Sequence, residues 1–111
     1  MVDPNSITIT TGARKDDSGK PPLALLPFAS LEAVAQVMAF GAEKYGTHNW
    51  RDGRGWLSFA SAALRHLGAW IEGENDDKES GQSHLAHAAC CLLFLLNYQE
   101  EGVGEDDRYN S

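Results

Sequence analysis

Residues 65–96, RHLGAWIEGENDDKESGQSHLAHAACCLLFLL, hold both the structural and the chemical signals of this chain. An apolar periodic segment runs into Gly73, a residue type that ends helices. Residues 74–81 contain no apolar side chain, so they read as a loop. Ser83 then offers an N-cap for a helix reaching about Glu100 through Leu85, Ala88, Ala89, Leu92, Leu93, Leu95 and Leu96. That helix is apolar nearly all round, which places it centrally or at a subunit interface. Two helices joined by an acidic loop are therefore expected.

Working outward, the helix before the loop is expected over about residues 56–72, with Phe59, Ala63, Leu67 and Trp70 or Ile71 buried and Arg65 and His66 on the other side. Residues 47–55, THNWRDGRG, mix Gly, Asn and Asp with Trp50 and two arginines and read as a loop that carries something specific. A further helix is expected from the cap Ser30 to about Tyr45, stopped by Gly46, with Leu31, Val34, Ala35, Met38 and Ala42 on one stripe. Glu32, Gln36, Ala39 and Glu43 form a second face of that helix. Residues 20–27, KPPLALLP, are bracketed by prolines that forbid a regular helix, so they are expected to pack as an extended strap through Leu23, Leu25 and Leu26. Residues 1–19 read as a flexible arm with one short edge-strand candidate at residues 6–11, residues 20–100 as a single α-helical domain, and residues 101–111 as a frayed acidic tail. The fold class is all-α, a bundle of three main helices with an extended arm. Helices of about 15–18 residues span only about 22–27 Å, a thin bundle that self-association as a homo-oligomer would complete.

The 111 residues, 42% hydrophobic and 23% charged, fit one globular domain. A formal charge of −7 argues against non-specific nucleic-acid binding, because a phosphate polymer is repelled overall. A small anionic ligand remains compatible wherever local cations or a divalent metal screen it. The two cysteines, Cys90 and Cys91, are neighbours in an apolar run and read as core thiols. No apolar stretch approaches 18 residues and the first residues have no charged-then-apolar leader, so neither a membrane partner nor secretion is expected.

The chemistry sits around the acidic loop. His84 and His87 are three apart on one helix, their Cβ atoms about 5–6 Å apart, so two imidazoles can clamp one ion. Glu72, Glu74, Asp76, Asp77 and Glu79 place five carboxylates in eight residues just upstream. Oxygen ligands suit magnesium, and adding imidazole shifts preference towards manganese, zinc or iron. The cationic candidates for an anion are Lys20, Lys44, Arg51, Arg54 and Arg65. Trp50 and Trp56 flank the loop arginines, an arrangement suited to stacking a base beside a phosphate contact. No Gly-rich phosphate loop, Gly-x-Ser-x-Gly elbow or Cys-x-x-Cys pair is present.

Taken together, GKPPLALLP, the helix end AEKYG, the loop NWR and residues 65–96 resemble the phage dATP/dGTP diphosphohydrolase N-terminal domain family over about residues 17–99. That family is similar to the MazG-like all-α nucleoside triphosphate pyrophosphatases, which cut nucleoside triphosphates to monophosphate and pyrophosphate with magnesium or manganese. The resemblance implies a metal-dependent pyrophosphohydrolase of purine deoxynucleotides in the cytoplasm of a phage-infected host. A non-catalytic nucleotide-sequestering module and a structural partner of a larger phage protein are the alternatives. On this reading His66, Glu74, Asp77, His84 and His87 surround a divalent metal, with Glu74, Asp77 and Glu79 as catalytic carboxylates and Glu79 as the general base. Lys20, Arg51 and Arg65 would hold phosphate, and Asn49 and Trp50 would contact the base. The superfamily's Glu-x-x-Glu signature is absent, and Glu74 to Asp77 is the one Glu-x-x-Asp.

Overall fold

In the computed structural model, which describes residues 19–109, three helices carry the fold: α1, Phe28–Tyr45; α2, Trp56–Ile71; and α3, His84–Glu101. No strand occurs among the described residues, in line with the all-α expectation. The edge-strand candidate and all of the expected arm except Gly19 lie outside them.

Helix α1 starts two residues ahead of Ser30, because Pro27 supplies the first turn. Its carbonyl accepts the Ser30 and Leu31 N–H groups at 3.0 and 3.1 Å, and its ring presets a helix-compatible φ. The helix stops at Gly46, whose φ of 103° other residues rarely adopt. Helix α3 starts as its sequence implies: the Ser83 hydroxyl accepts the N–H groups of Leu85 and Ala86 at 3.1 and 3.4 Å.

Helix α3 is central, packing against both α1 and α2. Val34 and Val37 of α1 meet Ala86 and Cys90 of α3, flanked by Ala33, Ala89 and Phe94. Phe59 and Ala63 of α2 are buried as expected, whereas Leu67, Trp70 and Ile71 stay exposed. In α1 the buried stripe is Val34 with Val37, so Met38 and Ala35 face outward. Val34 lies on the expected stripe; its partner in the core is Val37, one turn on, in place of Met38. The expected strap is a 3-10 turn, Leu23–Leu25, and its leucines are exposed.

The frayed-tail expectation is corrected by residues 103–107, which fold back onto the start of α2. Trp56 donates its indole N–H to the Val103 carbonyl and its backbone N–H to the Glu105 carbonyl, each at 2.9 Å. Asp107 accepts the Leu57 N–H at 2.9 Å and so caps α2 from fifty residues away. Gly104, with φ of 77°, has no room for a side chain: a Cβ there would strike the Arg54 carbonyl and lie 2.9 Å from the Tyr98 ring. Backbone bonds and a distant cap leave no local sequence pattern, which is why a polar tail reads as frayed.

Candidate functional site

The acidic loop is folded by its own side chains. Asp77 accepts the N–H and the O–H of Ser80 on Oδ2, both at 2.9 Å, and the Gly81 N–H bonds back to the Asp77 carbonyl. This Asp-x-x-Ser-Gly turn reverses the chain and brings the Asn75 carbonyl to the His84 N–H at 2.9 Å. The loop is thereby fastened to the first turn of α3.

Around that turn three histidines meet. His84 is 4% exposed, and its Nδ1 lies 2.9 Å from Nδ1 of His66 on α2. Its Nε2 lies 2.6 Å from Glu74. His87, one turn further along α3, stacks on His66 at 4.3 Å with the rings 9° apart and bonds Ser80 Oγ through Nε2 at 2.7 Å. Because the Ser80 hydroxyl donates to Asp77, the His87 Nε2–H is the donor in that bond.

The electrostatics follow from this packing. Burial pushes His66 and His87 below the usual imidazole range, reinforced for His66 by its neighbours His87 and His84. The hydrogen bond from His84 holds the Glu74 carboxyl below the usual range. Burial pushes the Asp77 carboxyl up, but the Ser80 bonds and the adjacent histidines outweigh it, and the net direction is down. The site thus favours the neutral form of His66 and His87 and the ionised form of Glu74 and Asp77.

Among the described residues, His66, Asp77 and His84 each offer a ligand atom within 4.8 Å of the others. The donor set fits a transition metal better than magnesium, since two of its three atoms are imidazole nitrogens. An ionised Glu74 can only accept, so the His84 Nε2–H is committed to it and a neutral His84 turns its Nδ1 lone pair into the cluster. A carboxylate on the second nitrogen is the usual support of a ligating histidine.

Beside the cluster lies a cavity of about 240 Å³, with His87 in its wall. Its apolar side includes Val37, Phe59, Cys90 and Phe94, and its polar groups include Lys44, Asn49, Arg54 and Glu79. Glu79 is ion-paired with Lys44 at 2.6 Å in the same wall that His87 lines. Asn49 accepts a bond from Arg54 at 3.1 Å. Trp50 stacks on Phe94 at 4.4 Å, and the Arg51 guanidinium sits 4.3 Å from the same indole. Trp50 is therefore packed between neighbours of its own chain in this structure. Arg51 and Arg65 are exposed, as is Lys20, and none of the three lines the cavity, whereas Lys44 and Arg54 do.

Residues 10–108 match the family described as dATP/dGTP diphosphohydrolase, N-terminal. The chain belongs to that family. A dATP/dGTP diphosphohydrolase of Salmonella phage PMBT28 is 37% identical over 94 residues, which cover 85% of this chain and 32% of that protein. The chain therefore spans about a third of the length of the relative it matches. No solved structure matches it. No helix among the described residues is long and apolar enough to cross a membrane.

Sequence reasoning missed Ser80, which joins Asp77 to His87, although the Asp-x-x-Ser-Gly spacing carries a turn signal. It also missed Phe94 and Tyr98. Tyr98 is fully buried and donates its hydroxyl proton to the Trp50 carbonyl, tying the loop over the cavity to α3.

Proposed function

We propose that this chain is a metal-dependent nucleotide pyrophosphohydrolase domain acting on purine deoxynucleoside triphosphates to give the monophosphate and pyrophosphate. The observation that carries the reading is the convergence of His66, Asp77 and His84 beside a cavity that shares His87 with them. The family and the name of the phage relative support the substrate class.

His66, Asp77 and His84 would hold a divalent ion: the family resemblance suggests manganese or magnesium, and the two imidazoles also suit zinc or iron. Such an ion, when bound, screens the phosphate charge and acidifies a water. Glu74 orients His84 through Nε2, and Ser80 fixes Asp77 and His87. Lys44, in the cavity wall, balances phosphate charge. Glu79, ion-paired with Lys44 in the same wall, is the base that accepts the proton of the attacking water. The −7 net charge keeps long nucleic acids away without excluding a metal-screened nucleotide.

The test is to incubate the purified chain with each dNTP and manganese or magnesium and to separate the products by chromatography. Appearance of dAMP or dGMP with pyrophosphate is expected, and unchanged nucleotides under every metal overturn hydrolysis. A second reading, nucleotide sequestration, is favoured by the absence of the Glu-x-x-Glu signature and the histidines that stand in place of carboxylates. It predicts intact nucleotide together with a raised melting temperature.

Self-association belongs to the same reading. Leu57 and Leu64 of α2 and Leu92 and Leu96 of α3 remain 42–68% exposed on antiparallel helices, a surface that a second copy can cover under two-fold symmetry. Sedimentation at micromolar concentration is expected to give a dimer or larger species, and a monomer contradicts it.

A further inference from the structure

The cavity beside the histidines, at about 240 Å³, is smaller than the roughly 300–1,000 Å³ of pockets that engulf a whole drug-sized ligand. It has the size for one part of a nucleotide. Its apolar wall of Phe59, Phe94 and Cys90 suits a flat ring better than a phosphate chain. Two of its polar groups, Asn49 and Arg54, stand together: the Arg54 Nη2–H donates to Asn49 Oδ1 at 3.1 Å, and the guanidinium lies 6.0 Å from the centre of the Phe59 ring.

The pairing has a specific chemical meaning. Guanine presents two acceptors, O6 and N7, along one edge, which an arginine fork matches with two parallel N–H groups. Adenine presents the N7 acceptor beside the N6 donor, which an asparagine amide matches with one donor and one acceptor. Pyrimidines have no N7, so neither of these two purine edges exists on them. The Arg54 backbone is itself anchored, its carbonyl accepting the Glu105 N–H at 3.2 Å, so the pair sits on a fixed support.

We propose that the Asn49–Arg54 pair is the purine-selecting element of the cavity, Arg54 reading the guanine edge and Asn49 the adenine edge. This rests on the reading of the chain as a nucleotide-processing domain and adds what makes it choose purines. It also separates Arg54 from the general cations, since its task needs a fork and not merely a charge.

The experiment is equilibrium binding of dGMP, dAMP, dCMP and dTMP to the intact chain, with monophosphates used so that hydrolysis does not intervene. The unsubstituted protein is expected to hold both purines at least about tenfold tighter than the pyrimidines. Arg54→Lys, which keeps the charge, is expected to weaken dGMP by about five- to a hundredfold and dAMP much less. Asn49→Ala reverses that order, and circular dichroism checks the fold of both variants. Unchanged dGMP binding in Arg54→Lys, or an equal loss for all four nucleotides, overturns the assignment. If dNTP hydrolysis by the unsubstituted protein persists in that case, the nucleotide reading stands without it. Failure of the unsubstituted protein to bind or cleave any nucleotide overturns both.

Discussion

The two halves of α3 hold the molecule together in opposite ways. Its C-terminal half contributes Phe94 and Tyr98 to an aromatic cluster with Trp50 and Phe59, in which Phe59 meets Phe94 and Tyr98 edge-on at 5.4 and 5.3 Å. Its N-terminal half contributes His84 and His87 to a network with His66, Glu74, Asp77 and Ser80. Apolar rings gain by leaving water and ask little of pH. Buried imidazoles and carboxylates lose hydration and must regain it from partners, an arrangement that stability alone does not favour over apolar packing. The aromatic end carries apolar packing that stabilises the fold, while the histidine end carries the polar cluster on which the proposed metal site rests.

Substitutions at the aromatic end should break the fold most. Tyr98→Ala removes a fully buried ring and the bond to the Trp50 carbonyl, and should cost about 3–5 kcal/mol in denaturant unfolding. A cost below about 1 kcal/mol would mean that the cluster is not the main support. At the other end, Asp77→Ala frees Ser80 and His87 and should cost about 1–3 kcal/mol, and the loop should then exchange its amide protons faster.

How much of this was legible in the sequence differs between the same two regions. The helices follow from 3.6-residue periodicity and from their punctuation, Ser83 before α3, Gly46 after α1 and Gly73 two residues past α2. The histidine site was legible in outline because His84 and His87 are neighbours in sequence and the acids lie close by. Which acids turn inward was not, since Glu79 is claimed by Lys44, thirty-five residues away, and the turn is set by Ser80. Likewise, nothing near Trp56 announces that residues 103–107 will dock there.

That docking supplies a smaller test. Asp107→Ala removes the cap of α2 and should cost about 1 kcal/mol, and Asp107→Asn should recover most of it. An unchanged melting temperature for Asp107→Ala would return the tail to the frayed state that its composition suggests.

The smallest effect expected is on pH dependence, and it sharpens the comparison directly. His66 and His87 titrate below their ordinary value of 6.5 in the folded chain. As pH falls through 6.5 the unfolded chain takes up protons first, so metal-free protein loses stability from there down to the folded pKa values. Glu74 and Asp77, also depressed, add a second loss below their ordinary values of 4.5 and 3.8. Melting temperatures in chelator should therefore be flat only between about pH 7 and 8 and decline below it, while the burial-raised Cys90 and Cys91 thiols add a separate loss as pH rises past their ordinary value of 9.0. Tyr98→Phe should keep that slope, and His66→Gln should flatten its upper part.

Whether the polar half of α3 holds the proposed metal ion is decided by titrating the intact chain with manganese by calorimetry. One ion per chain is expected, lost in His66→Gln, Asp77→Asn and His84→Gln alike while circular dichroism retains the helices. Absence of binding to the unsubstituted protein, or binding that survives all three substitutions together, would contradict it.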